Sequence, residues 1–221
     1  MHTFLGKWIT DKEFFSLEPR NVFHRQLDKV DLPCDDHRDR HILFRKTFSL
    51  EKKPDNAQIF ITADDYYKLY INGRFVGQGP APSYHFQYNY NTIDVAEYLR
   101  TGENLIAVHT LYQGLINRVW QSGDNRHGLI FDLVADGKIL TCSDETVKTA
   151  PHSGYRELDT VGYKTQFMEE YDSRSAEVGF QMPEFDDSCW VSARIHCFDD
   201  HILVPQASKC WNLSVLPRSK P

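Results

Sequence analysis

Acidic doublets are the residues whose type most directly suggests chemistry: Asp35-Asp36, Asp64-Asp65, Glu169-Glu170, Asp186-Asp187 and Asp199-Asp200. Hydrolysis of a glycosidic bond needs two carboxyl groups about 5–10 Å apart, one on each side of the bond. Neighbouring residues on a strand point to opposite faces, so a doublet is not such a pair. Turn capping and solvated loops account for these acids, and no catalytic residue is assigned. Asp186-Asp187-Ser188 ahead of Trp190 reads as an Asx-type turn, with Trp190 anchoring the strand that follows. Asp64-Asp65 falls at a strand break beside Tyr66-Tyr67, where carboxylates and loop carbonyls form a candidate calcium site.

Aromatic residues offer a second kind of chemistry. Tyr84, Phe86, Tyr88 and Tyr90 alternate, so an extended chain would place all four on one face. Sugar rings present flat patches of C–H that stack on such faces, while their hydroxyls need polar partners. The stretch from Tyr112 to Arg126 supplies those partners, with Gln113, Asn117, Arg118, Trp120, Gln121, Asp124, Asn125 and Arg126. The candidate carbohydrate site is therefore Tyr84, Tyr88, Tyr112, Asn117, Arg118, Trp120, Asp124 and Arg126. Packing of the four aromatics into a core or against another domain is the competing explanation. Gly77-Gln78-Gly79-Pro80 lacks the Lys-Ser/Thr of a phosphate loop and reads as a hairpin exit. The ten histidines, His37 and His41 included, show no metal-ligand spacing on an expected helix and read as surface or hydrogen-bonded groups.

The elements that must position these residues are strands. Runs rich in β-branched and aromatic residues recur at His41–Leu50, Ala57–Thr62, Tyr66–Asn72, Leu105–Tyr112, Gly128–Ala135 and Lys138–Cys142, bounded by Gly, Asn, Asp and Pro. In Tyr67–Ile71 the alternation puts Tyr67, Leu69 and Ile71 on one face and Lys68 and Tyr70 on the other. Asn72-Gly73 and Asp136-Gly137 are signals for type I′ hairpins, because that turn needs positive φ at both central residues. Ile93–Leu99 reads as a short helical turn leading through Thr101–Asn104 into the next strand. Positions 152–174 have no clear period, Trp190–His196 and Leu213–Leu216 read as returning strands, and 217–221 as a tail or linker. The fold class expected is an all-β antiparallel sandwich or jelly roll: one domain over 1–216, with an irregular excursion at about 150–182.

A net charge of −6 with scattered Lys and Arg argues against nucleic acid or an anionic membrane as partner. The N-terminus lacks signal-peptide form, and nowhere do about 18 apolar residues run together, so a cytoplasmic chain is expected. Five cysteines, Cys34, Cys142, Cys189, Cys197 and Cys210, form no CxxC and read as buried free thiols.

LFRKTFSL at Leu43–Leu50, ITADDYYKLYINGRFVGQGPAP at Ile61–Pro82, IDVAEYLRTGENLIAVH at Ile93–His109, MEEYDSR at Met168–Arg174 and PEFDDSCW at Pro183–Trp190 together resemble the N-terminal region of the bacterial α-L-rhamnosidase family. The NGxxVG hairpin also occurs in other galactose-binding-like jelly rolls; EEYDSR followed by FDDSxW points to rhamnosidases. The resemblance implies a sandwich placed before a large (α/α)₆ barrel that carries the catalytic carboxylates. Nothing in the present sequence has the period of such a barrel, so the chain is expected to be a non-catalytic accessory module, docked on that barrel and holding rhamnose-containing carbohydrate. It needs no cofactor; calcium at Asp64 and Asp65 is the one ion the sequence offers. The alternatives are a stand-alone lectin-like module and a purely structural domain.

Overall fold

The structure, a computed structural model, describes residues 1–19, 37–115, 123–162, 166–196, 198 and 200–208. Among them, the strands assemble into two main sheets, numbered here in chain order. The first has seven strands: β1 (Ile9–Thr10), β3 (Ala57–Asp64), β6 (Tyr88–Asp94), β8 (Gly128–Ala135), β9 (Lys138–Cys142), β16 (Arg194–Ile195) and β17 (Leu203–Pro205). The second has six: β2 (Arg40–Leu50), β4 (Tyr66–Ile71), β5 (Arg74–Gly79), β7 (Gly102–Tyr112), β10 (Lys148–Pro151) and β15 (Val191–Ser192). All ladders are antiparallel except β6–β17, which is parallel.

Register follows from turn chemistry and alternation. Asn72 and Gly73, at φ 50° and 82°, close the β4–β5 hairpin, and Asp136 and Gly137, at φ 50° and 75°, close β8–β9, so both Asn/Asp-Gly signals hold. Ile59, Ile61, Leu69, Ile71, Ile106, Val108, Leu129, Phe131 and Leu133 meet between the sheets and form the main core. Each such side chain contributes about 1.5–3 kcal/mol by leaving water. The expected split in β4 is observed, with Tyr67, Leu69 and Ile71 buried and Lys68 exposed. The helical turn is only Ala96–Tyr98, because Ile93 and Asp94 finish β6.

The excursion has more order than its sequence suggests. β11 (Tyr155–Arg156) pairs with β14 (Glu170–Tyr171), and β12 (Thr160–Val161) with β13 (Gln166–Phe167). Its last part, with the residues that follow up to Trp190, crosses the outer face of the six-stranded sheet, where Phe180 and Trp190 pack on Leu43, Leu105 and Ala107 in a second apolar cluster. Arg45, on the same face of β2, is buried beneath it. Its Nε donates to Asp187 Oδ2 at 2.8 Å, and its other nitrogens donate to the carbonyls of Phe180, Met182 and Phe185. Lys148 Nζ reaches Asp187 Oδ1 at 2.6 Å. Partial burial raises the Asp187 carboxyl, but the hydrogen bonds from Arg45 and Lys148 outweigh it and hold the pKa below the usual carboxylate range. The Asx turn is present: Ser188 N donates to Asp186 Oδ1 at 2.9 Å and Trp190 N to the Asp187 carbonyl at 3.0 Å.

The thiols depart from expectation. Cys189 is exposed and Cys142 half-buried, because each sits where its strand or turn meets solvent; Cys34, Cys197 and Cys210 lie outside the described residues. So do Asp35, Asp36, Asp199 and Leu213–Leu216.

Leu69→Ala, a truncation in the middle of the main core, is expected to lower stability by roughly 2–5 kcal/mol. A replacement at the exposed loop residue Lys52 should stay within about 0.5 kcal/mol. Urea unfolding midpoints of the two variants check the contrast.

Candidate functional site

Strand register divides the aromatic run. Tyr88 and Tyr90 lie in β6 on the outer face of the seven-stranded sheet, and both are buried: Tyr88 is 7% exposed, in a cluster with Trp8, Ile130 and Phe198. The Tyr90 hydroxyl accepts from His2 N at 2.8 Å. Tyr84 and Phe86 precede the strand on a turn closed by Gln87 N donating to the Tyr84 carbonyl at 2.9 Å. They are 48% and 52% exposed, and their rings stack at 5.2 Å with 7° between planes. Ile202, 57% exposed, adjoins them, its N–H donating to the His85 carbonyl at 2.8 Å. The single four-residue face expected from alternation is thus corrected to two pairs, because the chain turns between Phe86 and Tyr88.

Tyr112 is 1% exposed, packed edge-on to Phe14 at 4.7 Å, and its hydroxyl accepts from Asn125 N at 2.9 Å. Neither Tyr112 nor Tyr88 presents a ring face to a ligand. Asn117, Arg118 and Trp120, with Gln121, lie outside the described residues. Asp124 is buried and accepts from Arg126 Nε at 2.7 Å; the half-buried Arg126 also pairs with Asp200.

Asp64 and Asp65 are committed to protein groups. Asp65 Oδ2 accepts from Gln113 N at 2.8 Å. Asp64 Oδ2 lies 3.1 Å from His201 Nε2, whose Nδ1 lies 3.1 Å from Asp200. Among the described residues no group of three or more His, Cys, Asp or Glu converges as metal ligands. Burial, and then the Asp124 carboxylate, push Asp64 up to about 7. Burial also pushes His127 down to about 4, although its Nδ1 bonds the Asp64 carbonyl; Nε2 lies 2.8 Å from the Thr110 hydroxyl. A raised carboxyl is often the mark of a general acid. Here the carboxyl is buried and lies against His201.

An open pocket of about 380 Å³ lies elsewhere, over the outer face of the six-stranded sheet. Cross-strand pairing builds its floor: Gln78 stands opposite Lys68, Lys68 opposite His109, and Tyr66 opposite Leu111, which in turn faces His41. Pro80, Pro82 and Gln206 form a wall. Gln206 Oε1 accepts from Ala81 N at 2.7 Å, so the segment after β17 completes it. His41 Nδ1 and His109 Nε2 are 2.9 Å apart, and the His41 ring stacks on Tyr155 at 3.8 Å. Burial, with His41, His152 and Lys68 adding positive charge, holds His109 well below the usual imidazole range. Sequence reading missed this site. Its only sequence signal is that His41, Lys68 and His109 fall on outward positions of strands that become neighbours.

The fold and its surfaces define an antiparallel β-sandwich module with a covered outer face. The profile of the α-L-rhamnosidase N-terminal domain family matches residues 52–213, and the chain belongs to that family. It is 28% identical over 149 residues to an α-L-rhamnosidase of Streptomyces avermitilis, covering 65% of this chain and 14% of that protein. The crystal structure of a GH78 family rhamnosidase of Bacillus sp. GL1 superposes with a TM-score of 0.77 at 28% identity, over 93% of this chain and 20% of that one. A Pleurotus ostreatus lectin in complex with GalNAc shares the fold alone, at a TM-score of 0.52 and 22% identity, over 86% of this chain and 42% of the lectin. The chain therefore spans about a seventh to a fifth of the length of these rhamnosidases.

The buried ionisable groups set opposing pH dependences. Asp64 keeps a proton in the fold that the unfolded chain has released, so its contribution is complete below about pH 4 and is lost as pH rises towards 7. His127 resists protonation in the fold, so its contribution is lost as pH falls from about 6.5 to about 4. Asp64→Asn is expected to gain stability relative to wild type by on the order of 3 kcal/mol between pH 5 and pH 8. Thermal melts of both proteins at the two pH values check it, and parallel curves would count against the assignment.

Proposed function

We propose that this chain is a non-catalytic accessory module of an α-L-rhamnosidase, docked on the catalytic domain of the same polypeptide and holding rhamnose-containing carbohydrate. The observation that carries the reading is the exposed Tyr84–Phe86 stack. Large aromatic rings are rarely left this open without a partner, and the outer faces of a stacked pair offer flat apolar area to the C–H face of a sugar. Ile202 extends the patch next to β17, so a neighbouring domain can cover what the glycan leaves free.

The lengths of the relatives support docking, since at least four-fifths of each of the two rhamnosidases described above lies outside the matched region. Bond cleavage is assigned to that remainder. The three carboxyls raised by burial, Asp11, Asp64 and Asp124, are buried and already engaged with the Phe14 N–H, His201 and Arg126. Calcium is tested with the sugar, because Asp64 and Asp65 could bind it only by giving up their present partners.

Titration of the chain with L-rhamnose and methyl rhamnoside, with and without calcium, is the direct test. Saturable binding is expected, weakened at least roughly tenfold, about 1.4 kcal/mol, by Tyr84→Ala or Phe86→Ala. Absence of binding at millimolar sugar, or undiminished binding by both variants, would overturn the carbohydrate part of the proposal.

A further inference from the structure

We infer that the pocket over β4, β5 and β7 is a binding site for an acidic sugar unit, a uronate, distinct from the Tyr84–Phe86 surface. Its volume, about 380 Å³, falls within the range of about 300–1,000 Å³ typical of small-molecule sites. Its lining has the mixture a pyranose needs: the apolar edges of Pro80, Pro82 and Leu111, and amide and hydroxyl groups from Gln78 and Tyr66.

Charge supplies the selectivity. The chain carries 31 acidic residues against 25 basic ones, yet none of the residues lining the pocket is acidic. Lys68 stands in the middle of the floor, exposed, and has no carboxylate partner among the described residues. Asp39 and Asp65, the acids adjoining this lining in the chain, are engaged with His41 at 3.5 Å and with Gln113 N at 2.8 Å. A neutral sugar would leave the ammonium unmatched. A carboxylate placed over it gains a charge-assisted hydrogen bond, stronger than a neutral one.

The site is independent of the rhamnose proposal, because it shares no residue with the exposed aromatic stack. The test is a calorimetric titration of the full chain with D-galacturonate and, as the uncharged counterpart, D-galactose. The wild type is expected to bind galacturonate at least tenfold more tightly than galactose. Lys68→Met should remove that preference, and Lys68→Arg should keep most of it. Tyr84→Ala should leave galacturonate affinity unchanged, which separates failure of this site from failure of the rhamnose surface. Thermal melts confirm that each variant folds, as expected for substitutions at exposed positions. Equal affinity for the two sugars, no binding of galacturonate, or a preference that survives Lys68→Met would overturn the inference.

Discussion

The pairing of Arg45 with Asp187 is the contact on which the outer architecture depends. A guanidinium this deeply buried is tolerable only when its donors are satisfied, and here one carboxylate and three backbone carbonyls satisfy them. Every one of those acceptors lies between Phe180 and Asp187, at the end of the excursion and just after it, so the sheet dictates where that segment must run. Removing one partner of a buried ion pair costs about 3–5 kcal/mol, more than a segment with so little regular structure can readily spare.

Once the segment is fixed, the six-stranded sheet has two unequal outer regions. Leu43, Leu105 and Ala107 are covered by Phe180 and Trp190 and become a second small core. The region around Lys68, His109 and Tyr66 stays open and is walled by Pro80, Pro82 and Gln206. The opposite sheet is covered differently, by Trp8 and Phe198 over Tyr88 and Ile130. Concave and exposed features thus arise where coverage stops, which is why the aromatic stack and the pocket lie on different parts of the module.

Much of the sandwich was legible from the sequence because its signals are local. The Asn72-Gly73 and Asp136-Gly137 turns and the alternation through Tyr67–Ile71 act over a few residues, and the strands they imply are those observed. The site was less legible because its residues are brought together by pairing of distant strands. Alternation correctly put Tyr88 and Tyr90 on one face but could not reveal that the face is covered by the N-terminal segment, nor that the chain turns before them. Tyr112 looked available because polar residues follow it, whereas its side chain points into the core beside Phe14. Arg45 and Asp187 are 142 residues apart, and no short-range pattern links them.

Amide hydrogen exchange across the excursion, compared between wild type and Asp187→Ala, tests this organising role most directly. The N–H groups of Phe180, Met182 and Trp190 are hydrogen-bonded within the segment. They should exchange slowly in the wild type and lose protection in the variant, while Ile61 and Leu129 in the main core remain protected. Unchanged protection at Phe180, Met182 and Trp190 in Asp187→Ala would contradict the claim that the buried Arg45 pair holds the excursion on the sheet.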